Sequence, residues 1–190
     1  MNSGVLPMNY DNAVDLIDHL IDQQSDKYFA DFVPFTFQNE DYAELEMCLN
    51  VHFKPWFAEK IKFIAFALMY QHESYVYLDE AVANALYPDL KNKNLRNIGL
   101  ERLGEIIDTM VIDNYGSLNI LLKQENDFSL MRIEDGFSTT FFNLKGQLQE
   151  EVESLVEHQG LYFKEIDWAD QFFSPAYPHK KIKQKSRPTE

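Results

Sequence analysis

The sequence predicts an α+β fold: a mainly helical N-terminal two-thirds, then a three-stranded antiparallel β-meander and a covering C-terminal helix. Three observations predict it. Apolar residues recur at helical spacing as far as Met110, alternate in short runs after Gly116, and return to one helical stripe at Leu148, Val152, Leu155 and Val156. With 190 residues the chain suits one domain burying about 70% of its extended-chain surface. Fifteen Phe and ten Tyr exclude an acidic disordered protein, which would be poor in aromatics.

The first helix is expected from near Asp11 to about Asp26, capped by Asn9 or Asp11. Asp11, Asp15, Asp18, Asp22 and Asp26 fall within an arc of roughly 80°, opposite Val14, Leu16, Ile17, Leu20 and Ile21. Like charges at these spacings repel by a few tenths of a kcal/mol per pair, which packing of the apolar side offsets. Such a face is either merely solvated or a contact surface for a cationic partner.

Pro34 interrupts the aromatic run from Phe29 to Phe37, which reads as a loop or short extended link. A second helix is expected over Asn39 to Leu49. A third starts at Pro55, a residue suited to the first helical position, and its stripe of Trp56, Phe57, Ile61, Ile64 and Leu68 marks the centre of the core. Tyr75 to Leu78 reads as a short strand or an extended lead-in to a helix at Asp79 to Leu86, which Pro88 helps to end.

Asn94 is expected to cap a continuous helix through Met110, with Glu101, Glu105 and Asp108 turned outward together. The meander is assigned to Ser117–Lys123, Phe128–Ile133 and Phe137–Leu144, with an Asp135-Gly136 turn between the last two. A helix from Gln147 to His158 covers it. Glu150, Glu151, Glu153 and Glu157 lie on its outer side, and Gly160 is the left-handed terminator. Leu161 to Phe173 is aromatic enough to dock on the body, whereas the chain from Pro175 turns basic and is expected to stay mobile. The organisation expected is one acidic domain over residues 1–174 and a basic tail over 175–190.

Charge is segregated. Residues 1–178 hold 30 of the 31 Asp and Glu but 12 of the 17 Lys and Arg, so a body at −18 precedes a tail at +4. A field of this sign repels nucleic-acid phosphates and draws basic surfaces. The single cysteine, Cys48, forbids an internal disulfide and suits a reducing compartment. Residues 1–10 lack the features of a secretory signal, and the longest apolar run, Phe63 to Tyr70, is far short of the roughly 20 residues of a membrane span. The expected location is the cytoplasm, with no membrane partner.

No catalytic residue, metal site or cofactor is assigned. Cys48 and His52 stand four apart, as a thiolate and imidazole on one helix face would, but no oxyanion donor or third member accompanies them. The five histidines are scattered, no two at helical metal-ligand spacing. The glycines form no phosphate loop. Trp56, Tyr75, Tyr77 and Trp168 suit a core better than a ligand pocket in a chain this aromatic.

The expectation that fits best is an acidic protein-binding inhibitor of a basic partner, such as a nuclease or another nucleic-acid-handling enzyme. An immunity protein for a nuclease toxin or a nucleic-acid mimic would have this character. The surface assigned to it comprises Asp11, Asp15, Asp18 and Asp22 first, then Glu150, Glu153 and Glu157. The alternatives are an enzyme without a recognisable motif and a winged-helix-like DNA-binding regulator. In the latter, Asp79–Leu86 and the helix after Asn94 would mimic helix-turn-helix, with Ser117–Ile133 as wing. The acids on its recognition helix oppose phosphate contact.

Overall fold

A computed structural model describes residues 8–23, 26–33, 43–134, 136–137 and 139–165. Six helices and six strands occur among them. The helices are α1 (Tyr10–Asp22), α2 (Ala43–His52), α3 (Lys54–Gln71), α4 (Glu80–Leu86), α5 (Leu100–Val111) and α6 (Gly146–His158). The strands are β1 (Tyr28–Asp31), β2 (Ser74–Leu78), β3 (Leu118–Lys123), β4 (Phe128–Ile133), β5 (Thr139–Phe142) and β6 (Tyr162–Glu165).

All six strands form one sheet in the order β2-β3-β4-β5-β1-β6, every pair antiparallel. The three-stranded meander expected from the sequence is therefore corrected to the centre of a six-stranded sheet. Strands β1 and β6 were not assigned and β2 was left between a strand and an extended lead-in, for the same reason. At four or five residues, β1, β2 and β6 are too short to establish a period of two, and their strand character comes from distant partners rather than from local pattern. The helical two-thirds thus contributes both β1 and β2, and the aromatic stretch after Gly160 supplies β6.

Alternation along the strands divides the core. Val76, Leu118, Ile120, Met131, Ile133 and Phe141 join one cluster with α3, α5 and α6; Tyr77, Leu121, Leu130 and Phe142 join another with Ala13, Ile17 and Leu20 of α1. The sheet is consequently covered on both faces, which is why β3 carries apolar residues on both of its sides, Leu118, Ile120 and Leu122 on one and Leu121 on the other. Burial of Ile17 and Leu20 alone stabilises the α1 layer by up to about 5 kcal/mol.

Several details differ from expectation. Helix α1 ends at Asp22, and Asp26 lies beyond it at φ 55°. The helix expected from Asn94 breaks into a 3₁₀ turn at Leu95–Asn97 and α5, because Ile98 and the flexible Gly99 are extended. Trp56 is exposed on α3, not part of the core stripe. Residues 39–42 of the expected second helix, and 166–190 with the basic tail, lie outside the described residues. No helix among the described residues is long and apolar enough to cross a membrane.

Gly116 turns the chain from α5 into β3 at φ +74°, and a Cβ there would stand 1.9 Å from Val82 Cγ2. At the far end of α6, Gly160 (φ +72°) closes a Schellman turn in which Leu161 N–H donates to Val156 O at 3.2 Å.

Candidate protein-binding site

The N-terminus of α1 is fixed by Asn9, whose Oδ1 accepts from Asn12 N–H at 2.8 Å. This start sets the helix phase. Ala13, Ile17 and Leu20 turn to the sheet, leaving Asp11, Asp15, Asp18 and Asp22 exposed. The fifth aspartate of the expected arc, Asp26, is half-buried, with Oδ2 3.6 Å from Lys145 Nζ.

A groove of about 320 Å³ runs between α1 and the sheet. Asp11, Asp15 and Asp18 form one wall; Asp79 and Glu80, at the junction of β2 and α4, form the other. Strand pairing builds the floor, because Tyr77 opposes Asn119 and Asn119 opposes Arg132. These three lie in one row facing α1.

Among the described residues Arg132 is the one cation lining the groove, and it is already engaged. Its Nη1 donates to Asn119 Oδ1 at 2.9 Å and its Nε to Glu134 Oε1 at 2.7 Å, while Nη2 lies 3.5 Å from Asp79 Oδ2. Asp79 Oδ2 also accepts from Ser117 Oγ at 2.6 Å. Five carboxylates therefore face a guanidinium already shared among three partners.

The resulting field is legible at Tyr10. Burial raises its phenol above the ordinary range, and the nearby charges of Glu80, Asp79 and Asp11 raise it further. Its ring meets Tyr77 edge-on at 5.8 Å between centroids. Tyr77 is raised by its own burial and then by Tyr75. On the rim, a hydrogen bond from Lys91 holds Glu80 below the usual carboxylate range.

The structure brings Asp11, Asp15 and Asp18 into this groove, with Asp22 farther along the same helix. Glu150, Glu153 and Glu157 are exposed on α6, which packs against the opposite face of the sheet. The two acidic groups are thus separate surfaces. Glu151 differs from its neighbours: half-buried, its Oε2 lies 3.0 Å from His72 Nε2. Asp79, Glu80, Asn119 and Arg132 were missed by sequence reasoning, since only the strand register assembles them.

Cys48 and His52 are both exposed on α2, and among the described residues neither has a hydrogen-bond partner. No group of three or more His, Cys, Asp or Glu among the described residues is arranged to hold a metal ion. The β3–β4 hairpin lies inside the sheet, between β2 and β5. Searches of protein-family models, curated proteins and solved structures find no match to this chain.

Proposed function

We propose that the protein is an acidic binding protein that neutralises a basic protein partner, as an immunity protein for a nuclease toxin or a nucleic-acid-mimicking inhibitor does. The observation that carries the reading is the α1 groove, where five carboxylates line a space whose one cation among the described residues is already engaged. Asp79 and Glu80 are paired with Arg132 and Lys91, while Asp11, Asp15 and Asp18 stand exposed on the α1 wall. A lysine or arginine entering from a partner would meet acceptors on both walls. Exposed ion pairs of this kind each contribute at most about 1 kcal/mol, so their principal effects are faster encounter and fixed register. The single cysteine supports a reducing compartment, the cytoplasm, for that encounter.

The test is capture of the partner from the native host, mass-spectrometric identification, and stopped-flow association with wild type and a D11K/D15K/D18K variant. The reversal is expected to slow association at least about tenfold at low salt and to flatten its salt dependence. Equal on-rates would sink the proposal. A gel shift at low salt supplies the contrary outcome, since retardation of duplex DNA would favour the winged-helix-like regulator.

A further inference from the structure

The floor of the α1 groove continues across the sheet to the strand where the described residues end. Strand register places Tyr77, Asn119, Arg132, Thr140, Phe29 and Lys164 in one row, from β2 to β6. Glu165 closes β6 one residue after that row, level with the groove and three strand spacings, about 14 Å, from β4. Asn119, 3% exposed, gives the floor a second feature. Arginine has no acceptor, so the bond from Arg132 fixes the Asn119 amide with Oδ1 toward the guanidinium. Its Nδ2 donates to no described residue and, with Asn119 lining the groove, is open to a ligand carbonyl.

We propose that the free protein holds its own basic stretch, residues 180–187, in this groove, so that a partner must displace it. The stretch carries Lys180, Lys181, Lys183, Lys185 and Arg187 and no acid. Its cations match the exposed Asp11, Asp15 and Asp18 of the α1 wall, and the main-chain carbonyls between them match Asn119 Nδ2. A bare cation could meet the wall but not the floor. Reach agrees with this occupant. Lys180 follows Glu165 by fifteen residues, and a random coil of that length spans about 20 Å on average, against roughly 14 to 24 Å from β6 to β4 and β2. A linker matched to its span gives an effective concentration near millimolar, which neither a separate protein nor a second copy has. Glu150, Glu153 and Glu157 present charge from one helix face only. Occupancy by the stretch lowers the apparent affinity for a partner by the fraction of molecules that remain open.

Self-occupancy rests on the reading of the groove as a cation-binding surface but needs no partner, so a failed partner capture leaves its test intact. A nitroxide is attached at Gln184→Cys in the full chain, with the exposed Cys48 changed to Ser, and paramagnetic broadening of amide signals is read by NMR at low salt. Asp15, Asp18 and Asn119 should lose most of their intensity, and Glu150, Glu153 and Glu157 little. D11K/D15K/D18K and K180Q/K181Q/K183Q/K185Q should each restore the lost signal, as should raising the salt about tenfold. The Asn119 side-chain amide should shift between wild type and the lysine-to-glutamine variant. Broadening centred on α6, equal everywhere, or absent would overturn the proposal. So would broadening of an isotope-labelled chain by a separate spin-labelled one, because the stretch would then bridge two copies. If the broadening appears while D11K/D15K/D18K leaves partner on-rates unchanged, self-occupancy stands and the inhibitor reading falls.

Discussion

Arg132 Nη1 donates to Asn119 Oδ1 at 2.9 Å across the β3–β4 ladder, between residues directly opposed in register. This bond sets the one cation that lines the groove among the described residues on the sheet rather than on a loop. Arg132→Met keeps an apolar stem but leaves Glu134 and Asn119 without their donor. With the arginine side chain 17% exposed, the expected loss is about 2 kcal/mol, below that of a fully buried pair. Urea denaturation measures it, and an unchanged midpoint would show that water satisfies the orphaned groups equally well.

Gly116→Ala should be among the most damaging single-methyl changes. It combines a strained positive φ with overlap against Val82, so roughly 3 kcal/mol is expected. Val82→Ala in the same background removes the overlap but not the φ strain. The double variant should therefore be more stable than the sum of the two single losses predicts, as a double-mutant cycle by thermal or urea melts would reveal.

Tyr10, Tyr28, Tyr75 and Tyr77 all have phenols raised above 10.0, three of them chiefly through burial and Tyr75 chiefly through its hydrogen bond to Glu73. A raised folded pKa means that the native state holds the proton more tightly than the unfolded chain. The associated stability is fully present below about pH 10 and is lost as pH climbs through the folded values. Buried Lys27, lowered chiefly by desolvation, acts in the opposite direction up to 10.5. The tyrosines outnumber it, so unfolding free energies at pH 9, 10 and 11 should fall, and Tyr77→Phe should make that fall shallower.

How much of this was legible beforehand follows from where each signal resides. Helix α1 and its exposed Asp11, Asp15 and Asp18 could be read from period and charge, because a single helix face carries both. The opposite wall could not. Asp79 and Glu80 are ordinary acids until β2 pairs with β3, and Arg132 is a lone base until Asn119 is opposed to it. Strand β1 was hidden by its brevity and by neighbouring Pro34, and β6 by a composition that suits docking as well as pairing. Local pattern reports a face; only tertiary pairing reports what lies across from it.

Tyr10 offers a local readout of the groove's field. Among the charges that raise it, Glu80 contributes most, ahead of Asp79 and Asp11. Glu80→Gln should lower the Tyr10 phenol toward its ordinary value, and added salt should do the same in wild type. An NMR titration of the Tyr10 ring checks both; a value indifferent to Glu80→Gln would show that burial alone sets it.

The place of β1 between β5 and β6 has a consequence for synthesis. Tyr28 to Asp31 leave the ribosome more than a hundred residues before their partners at Thr139–Phe142 and Tyr162–Glu165. Until then this strand has two open edges, and the half of the sheet it joins cannot zip from the N-terminus. That half therefore cannot form until Tyr162–Glu165 have been made, and a chain cut after α5 would leave Tyr28 to Asp31 with neither native neighbour.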